Sequence, residues 1–446
     1  MELNKQQDKV EEFAADYKRA FFKLSLPILA GMLVQTLYNV VDTAFIGRLG
    51  SEAIAALTFA FPVFFILIAL NAGLSVGTSS KVARLLGNGD KAGAANVAWH
   101  SILFSLFLGL IIFISGNLAA RPLLGFLGAS GRALEMSVEY ITIIFSGVMF
   151  MFVVHLMNAI FAAQGEPKLA MKVQIFALLF NIILDPILIY GLDLKIRGAA
   201  IATVSAFFLG FLLTIFYSRR SYLKLKWSDF SWQPQYLKEI FVVGFPASLM
   251  MFLMSGYFAF VNYLMSKFGT DYVAAAGISG RLESVATMPI LALSTGLMTL
   301  VGMFYGAKKY DLLKQTIIFA LKISTLALFC FSLVVIIFPT IFLRIFTDDP
   351  ALISLSVPYL RILAVSWPVI TIVMLISRTI QGMGRGLPSL VITLVRIVLI
   401  SVPLAYLMIF IWDMSYLTIA YASIVSGIVS SILAVIWLRS ILKKLS

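Results

Sequence analysis

Apolar stretches of about 20 residues or more recur from one end of this chain to the other, and a helix of that length is what crosses a bilayer core of roughly 30 Å. Twelve such stretches lie near residues 21–46, 53–80, 94–118, 133–162, 169–191, 198–218, 238–266, 272–303, 313–339, 352–380, 388–411 and 416–438. Strands of an outer-membrane barrel need only about 10 residues and alternate apolar with polar, a pattern these runs lack. With 61% hydrophobic and only 12% charged residues, the 446 positions also hold too little polar surface to coat a soluble globule. The expected fold is an all-α membrane protein with twelve transmembrane helices.

The net charge of +13 is distributed by side of the membrane. With the N-terminus taken as cytoplasmic, most Lys and Arg fall on the termini and the even-numbered turns, among them Lys81, Arg84, Arg219, Arg220, Lys224, Lys308 and Lys309. That bias places both ends in the cytosol and the protein in the cell membrane as a multi-pass chain. A nucleic-acid partner would need a basic soluble face, which is absent from this pattern. Residues 1–20 are polar and charged, so no cleavable signal peptide is expected ahead of the first span. Cys330 is the single cysteine, and His100 and His155 are the only histidines, which argues against disulfides and multi-histidine or cysteine-cluster metal centres. No nucleophile elbow, phosphate loop or metal-ligand spacing occurs, so neither an enzyme nor a bound cofactor is expected.

The chain repeats itself. At an offset of 219 residues, Pro27 matches Pro246, Gly50 matches Gly269, Glu52 matches Asp271, and Gly77 and Gly87 match Gly296 and Gly306. An offset of 217 then pairs Gln164-Gly165 with Gln381-Gly382 and Pro186 with Pro403. The longest polar connection separates two sets of six helices, so the expected domains are a cytoplasmic segment 1–20, a six-helix lobe 21–218, a linker 219–238, a second lobe 239–438 and a tail 439–446. An even number of spans per repeat makes the two repeats parallel, an arrangement that favours a carrier working by alternating access over a channel.

Two acids interrupt the apolar runs: Asp42 in LVQTLYNVVDTAFIG and Asp185 in FALLFNIILDPILIYG. An acid near the middle of a membrane helix costs roughly 2.5–3.5 kcal/mol on insertion scales, and such residues usually serve function. Gln35, Tyr38, Asn39 and Asp42 follow spacings of three and four along the first helix, and Gln174, Asn181 and Asp185 repeat the device on the fifth. On the fourth helix, Tyr140, Met151 and Asn158 fall close to one face. Helix direction puts Asp42, Asp185, Tyr140 and Thr203 in the outer half of the membrane. If these helices adjoin, two carboxylates, an amide, a phenol and a hydroxyl share one pocket, and closely placed buried carboxyls tend to share a single counter-charge, a proton or Na⁺. Pro186 and Pro27 would each free a backbone carbonyl within a helix, for cation binding or simply for packing. Glu283 reads either as a contact for a cationic ligand or as a structural partner of Arg281 or Arg396, and His155 as a core group.

The segments LPILAGMLVQTLYNVVDTAFIGRLG, GTSSKVARLLGNGD, AAQGEPKLAMKVQIFALLFNIILDPILIYG, RGAAIATVSAF and LVGMFYGAKKYD resemble, in order and spacing, those of the multidrug and toxic compound extrusion (MATE) family, over essentially all twelve helices. The resemblance implies a V-shaped pair of six-helix lobes in the lipid bilayer, expected as a monomer, that exports amphipathic, often cationic drugs or metabolites in exchange for H⁺ or Na⁺. In the DinF-like branch the coupling acids correspond to Asp42 and Asp185, with Gln35, Tyr140, Asn181 and Thr203 around them; a Na⁺ would sit against Asp42, Asn181, Asp185 and Thr203. Gln35, Tyr38, Asn39, Met151 and Asn158 are the candidate substrate contacts. Another branch carries acids on the seventh and tenth helices, where 240–270 and 351–380 hold no Asp or Glu here. The alternative reading is a flippase for lipid-linked saccharides, which shares the helical architecture but calls for more cavity cations than Arg281, Lys322 and Arg396.

Overall fold

The computed structural model describes residues 2–445. Its helices are α1 (Glu2–Ala15), α2 (Tyr17–Gly47), α3 (Ser51–Gly87), α4 (Lys91–Phe126), α5 (Gly131–Ala163), α6 (Pro167–Gly191), α7 (Lys195–Ser218), α8 (Pro234–Ser266), α9 (Thr270–Gly306), α10 (Tyr310–Ile337), α11 (Pro339–Leu343), α12 (Pro350–Gly382), α13 (Leu387–Ile411) and α14 (Thr418–Lys443). All except α1 and α11 are long and apolar enough to cross a membrane, which gives the twelve spans the sequence calls for. Several outrun their apolar stretches. The 37 residues of α3 extend about 55 Å at a helical rise of about 1.5 Å, well beyond the hydrocarbon core. Polar residues continue the helix into water because nothing in the local sequence stops it before a glycine does. Gly50 and Gly269, equivalent in the repeat, precede α3 and α9 at φ 109° and 127°, a region only glycine enters without strain.

Two compact units form, one from Leu26 to Ser248 and the other from the chain up to Ser25 together with Leu249–Ser446. The division therefore does not follow the polar 219–238 connection; it cuts α2 just before Pro27 and α8 just after Pro246. Packing explains both cuts. The first turns of α2 belong to the C-terminal unit, where Phe21 is fully buried and meets Phe319 edge-on at 5.9 Å, and Gly296 makes room for Ser25. The first turns of α8 belong to the N-terminal unit: Phe241 meets Phe104 at 5.0 Å, Glu239 pairs with Lys81, and Gly244 lies so close to α3 that an added Cβ would stand 2.7 Å from the Gly73 carbonyl. Polar loop composition marks where the chain leaves the membrane, whereas unit membership follows side-chain contact.

Within the N-terminal unit α5 is the central helix, packed against α3, α4, α6 and α7; α12 holds the corresponding place against α9, α10 and α14. The N-terminal core joins Tyr140, Ile144, Met151 and Phe152 of α5 to Ala53, Ala56 and Val63 of α3. In the C-terminal unit, Trp367 of α12 is fully buried and stacks on Phe331 at 6.0 Å. The outer helices are apolar on the side that no neighbour covers. Phe107, Ile111, Ile114 and Leu118 of α4 recur at spacings of four, three and four and are all exposed, a face for lipid.

Candidate functional site

The polar residues of the N-terminal unit converge from four helices. Tyr38 of α2 reaches across to α7, its hydroxyl donating to Thr203 Oγ1 at 3.0 Å. On α6, Asn181 Nδ2 donates to Asp185 Oδ1 at 3.2 Å, one helical turn away. Asp42, Asp185, Tyr38 and Tyr140 lie within electrostatic reach of one another. Burial is deep: Asp185 and Asn181 are fully enclosed, and Thr203, Asp42 and Tyr140 are nearly so. The spacing of three and four along α2 thus does what the helical period requires, placing Gln35, Tyr38 and Asp42 on one inward face.

Pro186 shapes the floor of this cluster. It carries no N–H, and the chain after it widens into a π-helical turn over Ile187–Gly191, with the Leu192 N–H reaching back to the Ile187 carbonyl at 2.9 Å. That turn aims Tyr190 at α2, where its hydroxyl donates to the Phe45 carbonyl at 2.6 Å and ties the ends of the two acid-bearing helices together. Helix α7 begins against the same turn, because Gly198 lacks the Cβ that would stand 2.7 Å from the Leu188 backbone. Through Pro27, by contrast, α2 runs unbroken.

The unpaired atoms decide what the site asks for. Asp42 Oδ1, Asp185 Oδ2, Asn181 Oδ1, Gln174 Oε1 and both polar atoms of Asn158 are buried without a hydrogen-bond partner. Nearly all are acceptor oxygens. Neither carboxylate has an ion-pair partner among the described residues. A buried unsatisfied acceptor costs about 1–3 kcal/mol and more if charged, so this group of oxygens favours any positive charge small enough to enter. Beside it lies a cavity of about 30 Å³ lined by Gln35, Tyr38, His155, Asn158, Gln174 and Phe207, among others. A water needs roughly 10–15 Å³ of such space, so about two fit, whereas a drug-sized pocket runs to roughly 300–1,000 Å³. In this conformation that cavity is of ion and water size.

Two expected contacts stand apart. Asn39 is exposed rather than joined to its neighbours, since one residue turns the helix by about 100° away from Tyr38. Met151 is packed in the core beside Phe152, away from the cavity lining. Conversely, His155 and Gln174 line the cavity; His155 precedes Asn158 by three residues on α5, which is the helical signal for a shared face. Tyr38→Phe is expected to lower the unfolding midpoint, by about 0.5–1.5 kcal/mol in stability, through loss of the bond to Thr203. An unchanged midpoint in a thermal scan would show that the bond contributes nothing.

A family model described as MatE matches the chain twice, over residues 27–187 and 246–407, once in each repeat. Among curated proteins, a FAD transporter of Shewanella oneidensis is 29% identical over 88% of this chain and 88% of its own. The multidrug export protein MepA of Staphylococcus haemolyticus is 30% identical over 82% of each. A probable multidrug resistance protein, NorM, of Thermotoga maritima is 27% identical over 90% of this chain and 87% of its own. Solved structures agree with these matches. A multidrug resistance MATE family transporter of the MOP superfamily in an outward-facing conformation superposes with a TM-score of 0.91 at 32% identity, covering 98% of both chains. So does a MOP superfamily transporter from Pyrococcus furiosus, whose binding pocket is described as having reverse polarity, with the same score, identity and coverage. The twofold family match, once in each repeat, together with these superpositions over 98% of both chains, establishes that the chain belongs to the MATE family of multi-pass membrane transporters.

Proposed function

We propose that the chain is a multidrug exporter that exchanges amphipathic, often cationic solutes for one H⁺ or Na⁺, with Asp42 and Asp185 as the cation pocket and Asn181 and Thr203 as its neutral oxygens. The observation that carries this reading is the group of buried, unpartnered acceptor oxygens around two carboxylates with no ion-pair partner among the described residues. Gln35, Tyr38 and Asn158, on the cavity wall beside that pocket, are the side chains a ligand meets when the cavity widens. The relatives named for multidrug export and FAD transport support a small organic cargo. Basic residues at Lys81, Arg84, Arg219, Arg220, Lys224, Lys308 and Lys309 favour cytoplasmic termini in the cell membrane. Every pocket residue comes from one unit of one chain, so a monomer suffices.

Coupling requires the cation and the solute to prefer different conformations. Filling the pocket supplies the missing charge to the orphaned oxygens, which stabilises the cation-bound state relative to the state that holds solute. In proteoliposomes, counterflow of a fluorescent cationic drug is expected under an imposed pH gradient or an imposed Na⁺ gradient, and whichever ion drives it is the coupling ion. Equal flux with both gradients absent would refute exchange.

A further inference from the structure

The C-terminal unit contains a counterpart of the pocket in which the acids are replaced by a different charge pattern. At the repeat offset of 219 residues, Tyr257 matches Tyr38, Tyr359 matches Tyr140 and Met254 matches Gln35. The Tyr257 hydroxyl accepts from Ser401 Oγ at 3.2 Å and lies within bonding reach of Ser423 on α14, as Tyr38 does with Thr203 on α7. The phenol and hydroxyl frame is thus kept. Asp42 and Asp185, however, align with Val261 and Val402 at offsets of 219 and 217. In their stead stand Glu283 from α9 and Arg396 from the π-helical turn Val395–Ser401 of α13.

These two charges share one cluster without pairing. Glu283 lies within electrostatic reach of Arg396, Tyr257 and Tyr359, and both charged residues are half-buried. No ion pair joins them among the described residues. The Arg396 guanidinium instead meets Met254, with Nη2 at 2.9 Å from Sδ. A thioether is a weak acceptor, and a guanidinium carries five donors that want strong ones. A charge within a membrane span normally faces a bundle interior or an aqueous cavity and marks a substrate path. Opposite charges held apart in one polar cluster match a ligand that carries both.

We propose that Tyr257, Glu283, Arg396 and Ser401 form a second, dipolar ligand subsite in the C-terminal unit, which takes the anionic group of a zwitterionic amphiphile on Arg396 and its cationic group on Glu283. The subsite stands independently of cation coupling in the other unit. It also gives the two repeats different tasks: the first presents two carboxylates without a basic partner among the described residues, and the second presents a fixed pair of opposite charges.

A rhodamine dye with a free carboxylate and its methyl ester differ only in the anionic group, and their binding to the purified full-length chain in detergent can be compared by fluorescence anisotropy. Arg396→Gln is expected to weaken binding of the acid by roughly tenfold or more, the worth of a charge-assisted bond, and to leave the ester within about twofold. Glu283→Gln is expected to weaken both dyes, since both keep the cationic ring system. Arg396→Lys, which retains the charge, should recover part of the acid's affinity, and this separates ligand contact from a folding defect. If Arg396→Gln affects the two dyes alike, or neither, the charges form an internal pair bridged by water and the proposal fails. A zwitterionic phospholipid offers the same chemistry. Its displacement of the acid dye from the unaltered chain assigns the subsite to a lipid headgroup, and failure to displace assigns it to a free solute.

Discussion

Asp185→Asn is expected to reduce gradient-driven export to the level of passive leak while leaving the unfolding midpoint unchanged or raised. Both halves of that result follow from the same atoms. In the folded protein Asp185 accepts one bond from Asn181 but keeps Oδ2 buried and unpartnered, as is Asn181 Oδ1 one turn away. An asparagine places an N–H₂ where the oxygen was, so the two amides one turn apart can satisfy each other, and relief of a buried unpaired acceptor is worth about 1–3 kcal/mol. The same change removes the charge that attracts a cation. One coupled proton moving down a gradient of one pH unit supplies about 1.4 kcal/mol, or about tenfold accumulation of solute, and the variant forfeits it. Asp42→Asn should behave alike, and the double variant should lose no more export than either alone, because in the proposed mechanism both carboxylates serve one cation. Transport in proteoliposomes together with a thermal scan tests the account. Full export by Asp185→Asn against a gradient overturns it, and a collapsed midpoint would assign the carboxylate a structural role.

Gly198→Ala is expected to lower the stability of the N-terminal unit and to disturb the pocket with it. Its Cβ would stand 2.7 Å from the Leu188 backbone and 2.9 Å from the Ile189 nitrogen, atoms of the π-helical turn that cannot rotate aside as a side chain can. Overpacking of this kind costs typically 1–3 kcal/mol, and here α7 must back away from α6 to relieve it. Thr203 lies on the same helix and bonds Tyr38, so the displacement reaches the pocket. The expected result is a lower unfolding midpoint accompanied by slower export, with both effects smaller for Gly125→Ala, where an added Cβ meets nothing within 4 Å. Equal midpoints for the two alanine variants would show that the α6–α7 contact is looser in solution than the structure has it.

How far the sequence reached depends on the range of the interaction involved. Twelve spans were legible because membrane insertion is decided by local apolar length, and Asp42 and Asp185 were legible because an acid in such a run has no local justification. Helical spacing was enough to group Gln35, Tyr38 and Asp42, but it could not exclude Asn39 or Met151, because which sector of a helix meets a neighbour depends on that neighbour's position. His155 reads in sequence as a core group for the same reason: its apolar surroundings in sequence are on its own helix, whereas Gln35, Tyr38 and Gln174 come to it from α2 and α6.

By itself, the sequence determined that the chain is an all-helical membrane transporter built twice over, with acids in one repeat, since composition, period and self-similarity are local or additive properties. Tertiary structure alone decided that the units divide within α2 and α8, that a π turn after Pro186 fastens the acid-bearing helices, and that Glu283 and Arg396 share a cluster unpaired. These outcomes depend on contacts between residues far apart in the chain, and a contact exists only once both helices have taken their places.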